Sequence, residues 1–145
     1  MGDFEVLLVD DEVEFLGTLL KRMKRRDVNV VGVRSGEEAL GLLEQHLVDV
    51  VVLDVKMPGM DGIQTLRELK RQHPMVEVIM LTGHASLEVA IEGMELGAFD
   101  YLMKPVDIDE LLYKVEDAYK NKSLQEEKIR RIGEIPGSES NKEGG

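Results

Sequence analysis

The sequence predicts an α/β fold, in which a doubly wound, five-stranded parallel sheet is flanked by five helices. Five short apolar runs alternate along the chain with five segments whose apolar residues recur at helical spacing. The apolar runs do not alternate with polar residues, so both faces of the sheet are expected to be covered. A chain of 145 residues is long enough for one such domain and its core.

The strands are short runs rich in Val, Ile and Leu, as expected for strands buried on both faces. In chain order they are FEVLLV (4–9), VNVVGV (28–33), VDVVVLD (48–54), VEVIMLT (76–82) and FDYLM (99–103). The helices that follow them cover residues 13–26, 35–46, 61–73, 85–96 and 107 to about 120 or beyond.

Local signals mark the ends of these helices. The second and fifth helices begin with the capping patterns S-x-x-E and D-x-x-E, which start at Ser35 and Asp107. The third helix ends before Pro74, and Gly97 is suited to cap the carboxyl end of the fourth.

Composition limits the classes of partner. The chain has 18 basic and 29 acidic residues, a net charge of −11, so we expect no contact with nucleic acid or anionic membranes. It has no cysteine, which excludes disulfides and thiolate metal sites and fits a cytoplasmic location. No apolar run is long enough to span a bilayer. We expect a domain over residues 1–122, then a helix extension and a disordered tail or linker over 123–145 that begins near Gly133.

Chemically capable residues follow four of the five strands. The first strand ends at Asp10 and Asp11, the third at Asp54, the fourth at Thr82 and the fifth just before Lys104. Ligands of such sheets bind at the carboxyl ends of the strands. Clustered carboxylates favour a hard divalent cation such as Mg²⁺. A hydroxyl and an ammonium beside them suit a phosphoryl group, for which Asp54 is the candidate nucleophile.

Each of these residues also has an ordinary structural interpretation. An Asp after a strand is often a turn residue or a helix cap. Asp11 suits the N-cap of the first helix, with Glu14 at the capping-box position. Thr82 can be a simple strand-end residue and Lys104 a solvated loop charge. The functional interpretation rests on all the candidates falling at the carboxyl ends of one sheet.

Residues 4 to about 120 resemble the receiver domain of bacterial two-component response regulators. The motifs that carry the resemblance are LLVDDE, VVLDVKMPGMDG, VIMLTGHAS and GAFDYLMKP. KMPGMDG and LTGHAS are most similar to receivers of the nitrogen-regulation type. The resemblance implies a flavodoxin-like sheet with strand order 2-1-3-4-5. It also implies a signalling switch rather than an enzyme, which a sensor histidine kinase phosphorylates and hydrolysis resets.

The resemblance assigns the phosphoacceptor and the metal ligands. Asp54 matches the phosphoacceptor. Asp10 and Asp11, together with Asp54 and the backbone carbonyl of Lys56, match the Mg²⁺ ligands. Lys56 and His84 stand where the family varies, and we expect them to flank the mouth of the site and to affect the lifetime of the phosphoryl group.

The resemblance also assigns the switch. Thr82 matches the switch hydroxyl, Tyr101 the aromatic switch position, and Lys104 the lysine that pairs with the phosphoryl group. The bond between Lys104 and Pro105 matches a peptide bond that is usually cis in the family. The fourth helix, fifth strand and fifth helix are the expected surface for a homodimer or an effector.

Other classes of protein fit less well. Phosphatases of the haloacid-dehalogenase type need D-x-D, but Lys56 stands two residues after Asp54. A receiver that works without phosphorylation would not need the intact set of candidate residues. A nucleotide-binding Rossmann protein needs G-x-G-x-x-G after the first strand, and that motif is not present.

Overall fold

The computed structural model describes residues 4–56, 61–83 and 87–134, in which strands and helices alternate from the amino terminus. The elements are β1 (Glu5–Val9), α1 (Val13–Arg25), β2 (Asn29–Val33), α2 (Gly36–Leu43), β3 (Val50–Asp54), α3 (Gly62–Gln72), β4 (Glu77–Thr82), α4 (Leu87–Glu95), β5 (Asp100–Met103) and α5 (Ile108–Glu134). None of the helices in these ranges is long and apolar enough to cross a membrane.

The strands form one parallel sheet in the order β2-β1-β3-β4-β5, as predicted. Because all the strands run in the same direction, their carboxyl ends meet at one edge of the sheet. The register fixes the positions at this edge: Asp54 on β3 is opposite Leu81 on β4, and Thr82 is opposite Met103 on β5.

Both faces of the sheet are covered by helices, which explains the apolar strands. Alternate strand residues point to opposite faces. On one face, side chains of β1, β3 and β4 pack with buried residues of α1 and α5, including Leu19, Met23, Leu111 and Val115. On the other face they pack with residues of α2 and α3, including Ala39, Leu66 and Leu69.

Side-chain caps begin α2, where the sequence predicts one, and α3, where none was predicted. Ser35 accepts a hydrogen bond from the backbone N–H of Glu38, but the Glu38 carboxylate accepts from the N–H of Arg34 rather than that of Ser35. Asp61 and Gln64 form a complete reciprocal capping box at the start of α3. The bonds to the Glu38 and Gln64 amides satisfy N–H groups that the helices themselves leave unpaired.

The interpretation of Asp11 as the N-cap of α1 is wrong. Glu12 occupies the N-cap position, and its side chain makes no capping bond. Asp10, one residue before Asp11, makes the local bond instead: its carboxylate accepts the backbone N–H of Glu12 at 2.9 Å. Asp10 therefore closes the turn between β1 and α1 before the helix begins.

The second helix ends earlier than predicted, and the fifth runs on past residue 120, as the prediction allowed. The second ends at Leu43 rather than at residue 46, because the amides of Glu44 and Gln45 bond to carbonyls three residues back and tighten the turn. The fifth continues to Glu134 and includes Gly133, where we expected the tail to begin. The sequence from 108 to 132 contains neither Gly nor Pro, so nothing local interrupts this helix. Residues 135–145 lie outside the described part of the chain.

Candidate functional site

The carboxyl edge of the sheet brings together residues from distant parts of the chain. Asp10 directly follows β1, Asp54 ends β3, Thr82 ends β4 and Lys104 follows β5. The Lys104 backbone N–H donates to the Thr82 carbonyl at 2.8 Å, which ties the loop after β5 to β4. The peptide bond from Lys104 to Pro105 is cis.

The ammonium of Lys104 is the central contact of the site. Its Nζ lies 2.9 Å from Asp10 Oδ2, 3.0 Å from Glu12 Oε1 and 3.8 Å from Asp54 Oδ1. The first two are hydrogen-bonded ion pairs, whereas the third is too long for a hydrogen bond. Nζ also lies 4.2 Å from the centre of the Phe15 ring, at cation–π distance.

Asp54 is a buried carboxylate with a perturbed acidity. Its pKa rises from 3.8 to about 6, first because burial disfavours the charged form, and then because Asp10 and Asp11 repel its charge. Lys104 and the backbone N–H of Lys56, which donates to Asp54 Oδ1 at 3.3 Å, act in the opposite direction. A carboxylate with too few compensating cations is suited to bind one.

Lys104 carries the compensating charge. Burial lowers its pKa, but hydrogen bonds to Asp10 and Glu12 and the attraction of Asp54 outweigh burial and raise the pKa above its ordinary value. The lysine is therefore a permanent cation at neutral pH. A permanent cation can pair with an anionic group beside Asp54.

The oxygens of Asp10, Glu12 and Asp54 lie close enough to share a metal ion. One carboxylate oxygen from each lies within 4.8 Å of the others. An all-oxygen set with few carboxylates fits Mg²⁺, which keeps several of its own waters. Among the described residues this group does not include Asp11, although Asp11 is near enough to raise the pKa of Asp54.

The remaining predicted residues differ in position. Thr82 is buried at the edge of the sheet. Tyr101 is 36% exposed on β5 and lines a cavity of about 370 Å³ with α4 residues such as Ile91 and Met94. The side chain of Lys56 is exposed, and His84 lies outside the described residues.

Two residues with a part in the site were missed as functional candidates. Glu12 is the third acid of LLVDDE, and that unbroken acidic run was the available signal. Gly62 is the second, and a glycine has no chemical group that would mark it in the sequence. A Cβ there would overlap the Val55 backbone and lie 2.6 Å from the Asp54 carbonyl oxygen, so glycine lets α3 pack against the strand end that carries Asp54.

This arrangement can stabilise negative charge that builds up beside a carboxylate nucleophile. Asp54 presents oxygens next to a fixed cation and to carboxylates that can hold a second cation. The hydrogen-bonded loop that carries Lys104 keeps these groups in place before any ligand arrives. Such preorganised charge is what phosphoryl transfer requires.

Comparison with known proteins gives a consistent family. The family described as response regulator receiver domain matches residues 6–116. The DNA-binding transcriptional regulator NtrC of Salmonella typhimurium is 37% identical over 132 residues, which cover 91% of this chain and 28% of NtrC. The chain thus spans about a quarter of the length of the curated relatives it matches.

Solved structures agree in fold. The Francisella response regulator 1452 receiver domain superposes with a TM-score of 0.76 at 35% identity and covers 82% of this chain and 98% of its own. NtrX from Brucella abortus gives a TM-score of 0.82 at 28% identity, over 89% of this chain and 29% of NtrX. NtrC and NtrX among the matches are consistent with the nitrogen-regulation type of the motifs.

Proposed function

The chain belongs to the family of response regulator receiver domains, and we propose that it is a switch that accepts a phosphoryl group on Asp54. The family acts in two-component signalling, in which histidine kinases are the usual partners. The proposal extends this to a specific acceptor, its metal and its output surface in this chain.

One observation carries the proposal: the Asp54 carboxylate is buried, and the Asp10 carboxylate and the Lys104 ammonium both lie beside it. Burial holds its pKa near 6, so Asp54 is mostly ionised at neutral pH and available as a nucleophile. Lys104 lies 3.8 Å from Asp54 Oδ1, close enough to pair with oxygens of a group attached there.

In the proposed transfer, an Asp54 oxygen attacks the phosphorus of a phosphohistidine on a sensor kinase. A P–O bond forms, the P–N bond breaks, and the imidazole nitrogen keeps the electron pair and takes a proton from solvent. Lys104 stabilises the charge on the phosphoryl oxygens. Hydrolysis of the acyl phosphate by water later releases phosphate and restores the carboxylate.

We propose that Asp10, Asp11, Asp54 and the backbone carbonyl of Lys56 hold Mg²⁺. When bound, Mg²⁺ would neutralise charge on the phosphoryl oxygens and relieve repulsion among the carboxylates. The close approach of the Asp10 and Asp54 oxygens supports two of these ligands directly. Asp11 and Lys56 are assigned by their match to the family.

We propose that Thr82 and Tyr101 couple the site to the surface formed by α4, β5 and α5. Thr82 is one residue past the position opposite Asp54, so its hydroxyl can donate to a phosphoryl group there. That surface carries exposed apolar side chains on α4 and β5, which suit it to bind another protein. Among them are Ile91, Met94 and Met103. Its partner is a second copy or an effector.

The proposed receiver unit covers residues 1–122 and acts in the cytoplasm. Residues 123–145, which begin on α5, are proposed as a helix extension and a linker or tail. The relatives are several times longer than this chain. The proposal therefore concerns the receiver unit and does not extend to the activities of their other domains.

The test is phosphorylation by acetyl phosphate with Mg²⁺, followed by mass spectrometry. We expect one added phosphoryl group that hydroxylamine removes, as an acyl phosphate requires. Asp54→Asn should abolish it, whereas Asp109→Asn, an exposed residue at the start of α5, should not. A modification that persists in Asp54→Asn would disprove the assignment.

A further inference from the structure

Glu12 is built into the site by its backbone and its side chain. Its backbone N–H donates to Asp10 Oδ1 at 2.9 Å, and its Oε1 accepts from Lys104 Nζ at 3.0 Å. The other oxygen of the same Asp10 carboxylate accepts from Lys104 at 2.9 Å. Asp10 therefore fixes both members of the pair formed by Glu12 and Lys104.

These contacts already occupy two hydrogen-bond donors of the Lys104 ammonium in the unphosphorylated protein. An ammonium has three donors, and two of them serve Asp10 and Glu12. The Asp54 oxygen is 3.8 Å away, which is an ion-pair distance but not a hydrogen bond. One donor remains for a group on Asp54, so such a group has to share Lys104 with Asp10 and Glu12, and any shift of Nζ towards it stretches those two bonds.

The two partners hold Lys104 unequally. Asp10 is fully buried, so a charge left unpaired there would be costly. The Glu12 side chain is 65% exposed, and exposed ion pairs are weak because water can replace them. A phosphoryl group brings close to two negative charges to Asp54. Glu12 is therefore the contact that gives way.

We propose that Glu12 is a positioning residue that holds the Lys104 ammonium away from Asp54 in the unphosphorylated protein and competes with the phosphoryl group for it. This inference rests on the proposed function of Asp54. If Glu12 loses its charge, Lys104 can turn to the phosphoryl group without breaking an ion pair with Glu12, and its bond to Asp10 remains. Phosphoryl-like ligands should then bind more tightly.

Glu12→Gln tests the competition. The substitution preserves size, and the fold should tolerate it because the Glu12 side chain makes no helix-capping bond. At saturating Mg²⁺, beryllofluoride, a phosphoryl mimic, should bind Glu12→Gln about two- to fivefold more tightly than wild type by amide NMR, the range of an exposed ion pair. Unchanged or weaker binding would overturn the inference.

Glu14→Gln is the matched control, because it removes an exposed charge of the same sign from the first turn of α1. It should leave beryllofluoride affinity at the wild-type value. An equal gain in Glu12→Gln and Glu14→Gln would mean a general charge effect and would overturn the specific role of Glu12.

The lysine itself gives a readout that a purely structural role would not move. The ¹H–¹⁵N signal of the Lys104 ammonium should shift in Glu12→Gln and stay in place in Glu14→Gln, and an unmoved signal in Glu12→Gln would contradict the contact. Asp54→Asn separates the two proposals. If beryllofluoride perturbs wild type but not Asp54→Asn, the proposed function stands and Glu12→Gln alone decides the inference; if it fails on wild type, both fall.

Discussion

Lys122 on α5 forms an ion pair with Asp49, the residue just before β3. The Lys122 Nζ lies 3.0 Å from Asp49 Oδ1. The second oxygen of Asp49 accepts the backbone N–H of Glu5 at 2.8 Å. The neighbouring Asn121 donates to the buried Glu77 at the start of β4. These bonds fasten α5 to the amino edge of the sheet, opposite the candidate site. They lie immediately before residue 123, where we propose that the receiver unit ends.

Asp49→Asn should loosen this attachment. Asparagine keeps an oxygen for the Glu5 amide but loses the charge that pairs with Lys122. We expect the free energy of unfolding to fall by about 1.5–3 kcal/mol, as for a hydrogen bond to a charged group. Hydrogen exchange should speed up in residues 123–134. Asp109→Asn is the control, because its ion pair with Arg26 is exposed, and it should cost at most about 0.5 kcal/mol. Equal effects would mean that the Asp49 pair has no special role.

Gly62→Ala should disturb the strand end that carries Asp54. A Cβ at Gly62 would overlap backbone atoms of Val55, which cannot swing aside as a side chain could. We expect a loss of about 1–3 kcal/mol in unfolding free energy by urea denaturation and shifted amide signals around Asp54. Gly41→Ala is the control, since nothing lies within 4 Å of its Cβ position in α2. It should stabilise by about 0.5–1 kcal/mol. A neutral Gly62→Ala would show that α3 can shift freely.

Asp54→Asn should stabilise the folded protein in a pH-dependent way. The raised pKa means that the fold disfavours the ionised form, so Asp54 lowers stability progressively as the pH rises from about 3.8 to about 6, and by a constant amount above that. At pH 7.5, without Mg²⁺, we expect a gain of about 1–3 kcal/mol in urea denaturation. The gain should shrink as the pH falls from 6 and vanish below about 3.8, where the carboxyl is neutral in both states. An equal gain at all pH values would mean that charge is not the cause.

Mg²⁺ should stabilise the wild type, because the carboxylates converge only in the folded state. At a concentration ten times its dissociation constant, the gain should be about 1.4 kcal/mol relative to NaCl of equal ionic strength. Asp11→Ala should weaken Mg²⁺ binding at least tenfold, as the proposed ligand set requires. Glu12→Gln should change it less than about threefold, because we assign Glu12 to Lys104. The reverse ranking would make Glu12 the metal ligand and remove Asp11 from the set.

Thr82→Ala should separate phosphorylation from the surface response. Asp54, Lys104 and the acidic residues remain, so acetyl phosphate should still add one phosphoryl group. Beryllofluoride should shift amide signals on α4, β5 and α5 in wild type but much less in Thr82→Ala. One charge-assisted hydrogen bond is enough to change populations about tenfold. Thr18→Ala, the same deletion at an exposed position of α1, should respond like wild type. Matching shifts in Thr82→Ala would show that Thr82 does not couple the site to this surface.

The sequence by itself determined the sheet, most helix bounds and the convergence of Asp10, Asp54, Thr82 and Lys104. Strand and helix periodicity are local properties, so they can be recognised in short segments. A parallel sheet then leaves no choice about where strand ends meet. Four residues from four strands fall at one edge as soon as the strands are parallel and adjacent.

Tertiary structure decided which of these groups touch and how. Glu12 and Lys104 are 92 residues apart, and nothing in either segment specifies their bond. The room at Gly62 depends on how closely α3 approaches β3, and the exposure of Tyr101 depends on how α4 covers β5. Local pattern fixes which edge a residue reaches. Contact geometry of a few tenths of an ångström, and the electrostatics that follow from it, arise only when separate elements pack together.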